Sequence, residues 1–288
     1  MNLRHPFFVL GPVLAGTLLV SVATAQKSAV AYNTIPKPLP GNVASVGPEA
    51  YAFIELGDGL GTYGHIALLT STVGEVTVVL SSWACQSGSW QAGCDSGKNA
   101  AFSQDITFSL YAVTGNISGT YVVGANLGSI TQTFGIPYRP SATPSKCAVA
   151  SQWYSNKDKT CYNGIAVPVT IDFSSLAIPF PANGQLAVTV AYNTTNYGPN
   201  PIGTSAPCYG VDGGCPYDSL NISTDNPPNG DFPVNPGYPL DPDGIFVSPT
   251  LNYSQCQGEL ALIPGVVQDD IGCWSFLHPE IMLKVNLK

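Results

Sequence analysis

In the stretch EVTVVLSSW, Glu75 to Trp83, apolar residues fall at every second position, so that Val76, Val78 and Leu80 share one face of an extended chain. DITFSLYAV repeats the pattern with Ile106, Phe108 and Leu110, and shorter segments of the same kind recur as YAFIEL, HIALLTS, SITQTFGI, AVPVTIDF, QLAVTVAYN, GELALI and the terminal IMLKVNL. Period two is the mark of strands with one buried face. No window of a dozen residues sustains a helical stripe without a glycine or proline. With 30 glycines and 25 prolines to punctuate them, many short strands predict an all-β fold, an antiparallel β-sandwich or jelly roll with long Pro/Gly-rich loops and local disulfides.

The opening MNLRHPFFVLGPVLAGTLLVSVATAQ places Arg4 and His5 ahead of an apolar run from Phe7 to Val22, followed by Ala23-Thr24-Ala25 as a small-x-small site. This reads as a secretory signal peptide over residues 1–25. The run is broken by Gly11, Pro12 and Gly16, which argues against a spanning helix of about 20 residues. Residues 26–288 are expected to form a single β-sandwich domain, extracellular as a secreted chain or held in the periplasm or at the cell surface, with no membrane span after cleavage. Residues 26–50 form a proline-rich extended lead-in suited to covering a sheet edge. Residues 193–244, with ten prolines, are expected to be a long loop region, which in a compact domain is usually functional or disordered.

Eight cysteines, an even number, agree with an oxidising compartment. They arrive in four close pairs, so joining sequence neighbours is the economical connectivity: Cys85 with Cys94, Cys147 with Cys161, Cys208 with Cys215, and Cys256 with Cys273. Zinc is the alternative, but the spacings are not C-x2-C and histidines are scarce. Each of the four tryptophans neighbours a cysteine. In SSWACQSGSWQAGC, Trp83 ends an alternating strand and would share the face of Leu80 only across a bulge. Trp90 lies inside the first cysteine loop, Trp153 inside the second, and Trp274 follows Cys273. A large ring laid against a disulfide fills space at the end of a sandwich, so packing is the favoured reading. A sugar-stacking platform is the rival, with Trp90 its best candidate and Tyr197 and Tyr217 in the long loop beside it.

Charge is unevenly placed. Gln26 to Lys159 carries seven acids and seven bases, whereas Thr160 to Leu283 carries eleven acids and no Lys or Arg. Such a field disfavours nucleic acid and anionic lipid as partners. Oxygen-rich acidic loops suit calcium, and Asp241 with Asp243 in DPDG, and the pair Asp269 and Asp270, are the candidate ligands; DPDG is equally a solvated turn. No other cofactor is expected.

Catalytic signatures are sparse. GLGTYG, Gly59 to Gly64, matches a dinucleotide fingerprint but lies between strand segments and reads as a turn. No serine sits in G-x-S-x-G, and His278 in HPE has no second histidine at helical spacing. Asp212 and Asp218, flanking Cys215 and Tyr217, are the carboxylate pair a glycoside hydrolase would need.

The phrases SSWACQSGSW, TQTFGIPYRPSA, VAYNTTNYG, PCYGVDGGCPYDSLNI, DPDGIFV and GCW, in this order along the mature chain, resemble a family of secreted, mostly bacterial, disulfide-bonded β proteins to which no activity is attached. The resemblance implies export and disulfide bonding, and carries over no catalytic residues. The expected function is therefore non-catalytic: surface association, or binding of carbohydrate or another cell-surface or matrix component. A secreted glycoside hydrolase is the alternative.

Overall fold

The computed structural model describes residues 27–33, 35, 39, 52–54, 71–87, 94–117, 120–182, 186–192, 220–225, 244–246, 266–268 and 278–287. Within them the chain is an antiparallel all-β protein. Its strands are β1 (Ser28–Asn33), β2 (Ala52–Ile54), β3 (Thr72–Ser82), β4 (Ala101–Ile117), β5 (Thr120–Pro137), β6 (Trp153–Ser155), β7 (Thr160–Tyr162), β8 (Ile165–Asp172), β9 (Leu186–Tyr192), β10 (Leu220–Ile222), β11 (Thr224–Asp225), β12 (Gly244–Phe246), β13 (Val266–Gln268), β14 (His278–Pro279) and β15 (Ile281–Asn286). A 3-10 turn at Ser174–Leu176 is the one helical element among the described residues. No helix among them is long and apolar enough to cross a membrane.

Two larger sheets carry the core. In the first, β3 is central: β8 lies along one edge, and β15 and β10 share the other, with β1 outside β15. In the second the order is β13-β5-β4-β9. The register explains why alternation in sequence becomes a packed face. Val76, Val78 and Leu80 stand opposite Ile171, Val169 and Val167 of β8. Across the other edge Val76 and Val78 meet Leu283 and Ile281 of β15. In the second sheet Phe108 and Leu110 pair with Val190 and Val188 of β9. All of these side chains join one buried cluster that both sheets line, which is the arrangement of a sandwich.

Pro168 sits mid-strand, opposite Val79. A proline removes one ladder donor and is tolerated on an edge. Among the described residues β8 indeed pairs with β3 alone. Thr77 and Thr170, opposite each other on the outward face, join their hydroxyls at 2.8 Å.

Two features depart from the pattern read in the sequence. First, β3 is buried on both faces over Val76 to Cys85, Val79 and Ser81 at 0% exposure included. Trp83 is buried there without the bulge that sharing Leu80's face would require, because it continues the outward row of Val79 and Ser81 and donates its indole N–H to Ser81 Oγ at 2.9 Å. Second, the expected loop at 193–244 contains strand: β10 extends the central sheet by pairing Leu220 and Ile222 with Ser82 and Leu80, and β11 pairs with β14. The lead-in contributes β1, extended and paired to β15 at the outside of the first sheet through a bulge near Tyr32.

Candidate functional site

The described part of the molecule with the greatest concentration of unusual chemistry is the end of the sandwich where β3, β5 and the two cysteine loops meet. Both described disulfides join sequence neighbours, Cys85 to Cys94 and Cys147 to Cys161. Closed bridges of this kind fit an oxidising, non-cytoplasmic environment.

Arg139 organises this end. It follows β5 in the sequence Pro137-Tyr138-Arg139-Pro140 and is fully buried, at 0% exposure. Its backbone N–H donates to the Ala84 carbonyl at 3.0 Å. In the side chain, Nε donates to Cys94 Sγ at 2.9 Å, Nη1 to the Asn163 carbonyl and Nη2 to the Ser151 carbonyl. One arginine thus ties together the segment after β3 through its backbone and, through its guanidinium, the first disulfide, the second cysteine loop and the turn before β8. Burial lowers its pKa to about 10, which leaves it charged at physiological pH. A buried charge is tolerable only when its donors are satisfied, and here dipoles and a sulfur satisfy them instead of a carboxylate.

The neighbouring strand ends are held by related contacts. The Ala142 N–H donates to the Cys94 carbonyl at 2.9 Å. Ser141 Oγ donates to Asp95 Oδ1 at 2.7 Å and accepts from the Ser96 N–H at 2.9 Å. Trp153 Nε1 donates to the Gly164 carbonyl at 2.8 Å, and Gly164 itself lies against the Trp83 indole. Trp83 and Trp153 therefore both bracket the turn at Gly164, and Trp83 is packing, not surface.

The β6–β7 hairpin presents a different surface. Trp153 and Tyr162 are directly opposed across its two strands, with ring centroids 5.4 Å apart and planes inclined by 37°. Tyr154 follows on the other face with the Lys146 ammonium 4.8 Å above its ring. All three rings are half-buried. The Tyr162 hydroxyl donates to Asp158 Oδ2 at 2.6 Å; that bond, with a second from Ser155, holds the Asp158 carboxyl below the usual aspartate range. The hairpin is closed by Cys147–Cys161. Its rings are consequently pre-positioned, each with a polar neighbour at hand.

Several residues singled out from sequence lie outside the described residues: Trp90, Tyr197 and Tyr217 as ligand contacts, Asp212 and Asp218 as a carboxylate pair, Asp241, Asp243, Asp269 and Asp270 as calcium ligands, and Cys208, Cys215, Cys256, Cys273 and Trp274. No group of three or more His, Cys, Asp or Glu among the described residues could hold a metal ion. Sequence reasoning missed Arg139. The available signal was its rarity, because it is the sole arginine after Arg4 and stands between Tyr138 and Pro140.

Compared with known proteins, the chain matches no family model, and no curated protein or solved structure matches it at a significant level.

Proposed function

We propose that the chain is an exported, non-catalytic protein of the cell exterior that acts in surface association by binding carbohydrate or a matrix component. The observation that carries this reading is the β6–β7 hairpin, where Trp153 and Tyr162 are half-buried, opposed rings on one face beside Asp158, in a loop closed by the Cys147–Cys161 disulfide. Aromatic faces receive the C–H faces of sugar rings, while charged neighbours supply hydrogen bonds to hydroxyls. A rigid platform lowers the ordering cost of binding. The two closed disulfides support export, as does the signal-like opening of the sequence. The acidic balance of the chain, −8 in formal net charge, favours neutral or basic partners over nucleic acid.

The test is a glycan array followed by titration of the best ligand against wild type, Trp153→Ala and Tyr162→Ala. Binding that weakens at least tenfold in a variant with an unchanged melting temperature supports the platform. Absence of binding to any glycan removes the carbohydrate version and leaves a structural role. Calcium at Asp241, Asp243, Asp269 and Asp270 belongs to the same reading, with ion-organised loops presenting the surface. Its own test is the melting temperature of chelated protein with and without millimolar calcium, which rises by linkage if the ion binds the folded state.

A further inference from the structure

We infer that Cys85 and Cys94 form an asymmetric thiol–disulfide exchange pair, in which Cys94 is the leaving thiolate held by Arg139 and Cys85 is the sulfur attacked by an external thiol. The assignment rests on the contact between Arg139 Nε and Cys94 Sγ at 2.9 Å. It rests equally on the isolation of that cation: Arg139 is fully buried and makes no ion pair with a carboxylate among the described residues. Its other side-chain partners are main-chain carbonyls.

Consider what opening the bridge does at this place. A thiol buried in apolar surroundings resists ionisation, whereas a cation beside it favours the thiolate. At Cys94 the cation wins, because it is already in hydrogen-bonding contact and forms no ion pair among the described residues. The change from disulfide sulfur to thiolate turns a hydrogen bond from a cation to a weak neutral acceptor into an ion pair. It also supplies a counterion to a guanidinium that has no carboxylate partner among the described residues. The nearest acid in the chain, Asp95, is exposed and engaged by Ser141. Among the described residues Cys85 has no cation in contact with it; its sulfur faces the Trp83 carbonyl at 3.7 Å. The second disulfide provides the contrast, since Cys161 Sγ faces the carbonyl of Lys146 at 3.7 Å, not a cation.

The step balances as follows. Both sulfurs are buried in the closed fold, Cys85 at 4% and Cys94 at 3% exposure, so exchange requires local opening at this end. The thiolate of a small-molecule thiol then attacks Cys85 Sγ, the Cys85–Cys94 bond breaks, and its electron pair leaves on Cys94 Sγ as thiolate against Arg139. A second equivalent of the thiol attacks the external sulfur of the mixed disulfide, releasing the oxidised small molecule and Cys85 as a thiol. The reverse sequence closes the bridge, with Cys94 thiolate as the internal nucleophile. Leaving-group thiols of low pKa leave faster, so the direction of attack is set by Arg139.

The experiment treats folded wild-type protein with reduced glutathione, quenches in acid, and maps adducts by mass spectrometry. The expected result is a mixed disulfide on Cys85 with a free thiol at Cys94, exceeding the opposite isomer at least tenfold. Equal distribution, adducts on Cys94, or no adduct at this pair under conditions that preserve the fold overturns the inference. A second measurement compares Cys85→Ser with Cys94→Ser. The pH midpoint of alkylation of Cys94 in the first is expected at least one unit below that of Cys85 in the second. A midpoint for Cys94 equal to or above that of Cys85 in folded variants overturns the inference as well.

Discussion

Gly164 lies so close to Trp83 that a β-carbon on it would stand 2.5 Å from Cδ1 and 2.8 Å from both Nε1 and the Ser82 carbonyl oxygen. The turn before β8 can approach the end of β3 only because this residue has no side chain. The indole, in turn, is fixed by its bond to Ser81 Oγ.

Gly164→Ala is therefore expected to destabilise the fold. One of the three clashing atoms is main chain, so relief cannot come from a rotamer change alone, and overpacking of this kind costs about 1–3 kcal/mol. The check is chemical denaturation. A midpoint equal to wild type would mean that Trp83 leaves its site at no cost.

Removing the second disulfide tests how far the hairpin depends on its staple. Cys147 and Cys161 are 14 residues apart, and a loop of that size contributes about 3 kcal/mol in the chain-entropy account. The double variant Cys147→Ala/Cys161→Ala should lose that amount in denaturant unfolding. Hydrogen exchange should then quicken first at Trp153, Tyr154 and Tyr162. Uniform loss of protection across β3 and β4 would instead mean that the staple supports the whole sandwich.

The contrast between these two sites shows what was legible in the sequence. Strands β3, β4, β8, β9 and β15 were readable because their inward residues repeat at period two and end in one core. The sequence-neighbour pairing of Cys85 with Cys94 and Cys147 with Cys161 was readable from spacing. The role of Arg139 was not. Its partners are Cys94 and the carbonyls of Ser151 and Asn163, and carbonyls carry no sequence signature. Likewise β6, β7 and β10 are three residues long, too short for a period to emerge. Their existence depends on a tertiary partner, β3 for β10 and the Cys147–Cys161 closure for the hairpin. The outward burial of Val79 and Ser81 was invisible for a related reason: alternation reports which residues prefer the interior, not what comes to lie over the other face.

Asp172 gives a pH-dependent prediction. Its carboxylate accepts from the Ser174 N–H at 2.8 Å. Hydrogen bonds from the Ser174 side chain and then its backbone lower its pKa, with burial acting weakly the other way. A depressed carboxyl pKa means that the unfolded state binds the proton more readily. The contribution is thus complete above the unfolded aspartate value of about 3.9 and disappears as pH falls through the lower folded value. Because the group is largely solvated, the effect should stay below about 1 kcal/mol. Asp172→Asn should flatten that part of the stability–pH curve below pH 4, measured by urea unfolding in a pH series. An unchanged slope would assign the acid sensitivity to other carboxylates.

The ion pair between Lys284 Nζ and Glu75 Oε2, at 2.7 Å, is the one salt bridge among the described residues, and it sits one residue from the buried Leu283. Short distance suggests strength, but the two side chains are 33% and 42% exposed, and solvated pairs contribute about 0–1 kcal/mol. Leu283, at 1% exposure, packs inward against the row of Val76 and Ile171, and truncating a leucine in such a core costs about 2–5 kcal/mol. Glu75→Gln should accordingly leave the denaturation midpoint almost unmoved and insensitive to salt, while Leu283→Ala should shift it severalfold further. If the two variants lost stability equally, β15 would be held to β3 by charge rather than by burial, contrary to the face-to-face packing from which the sandwich is built.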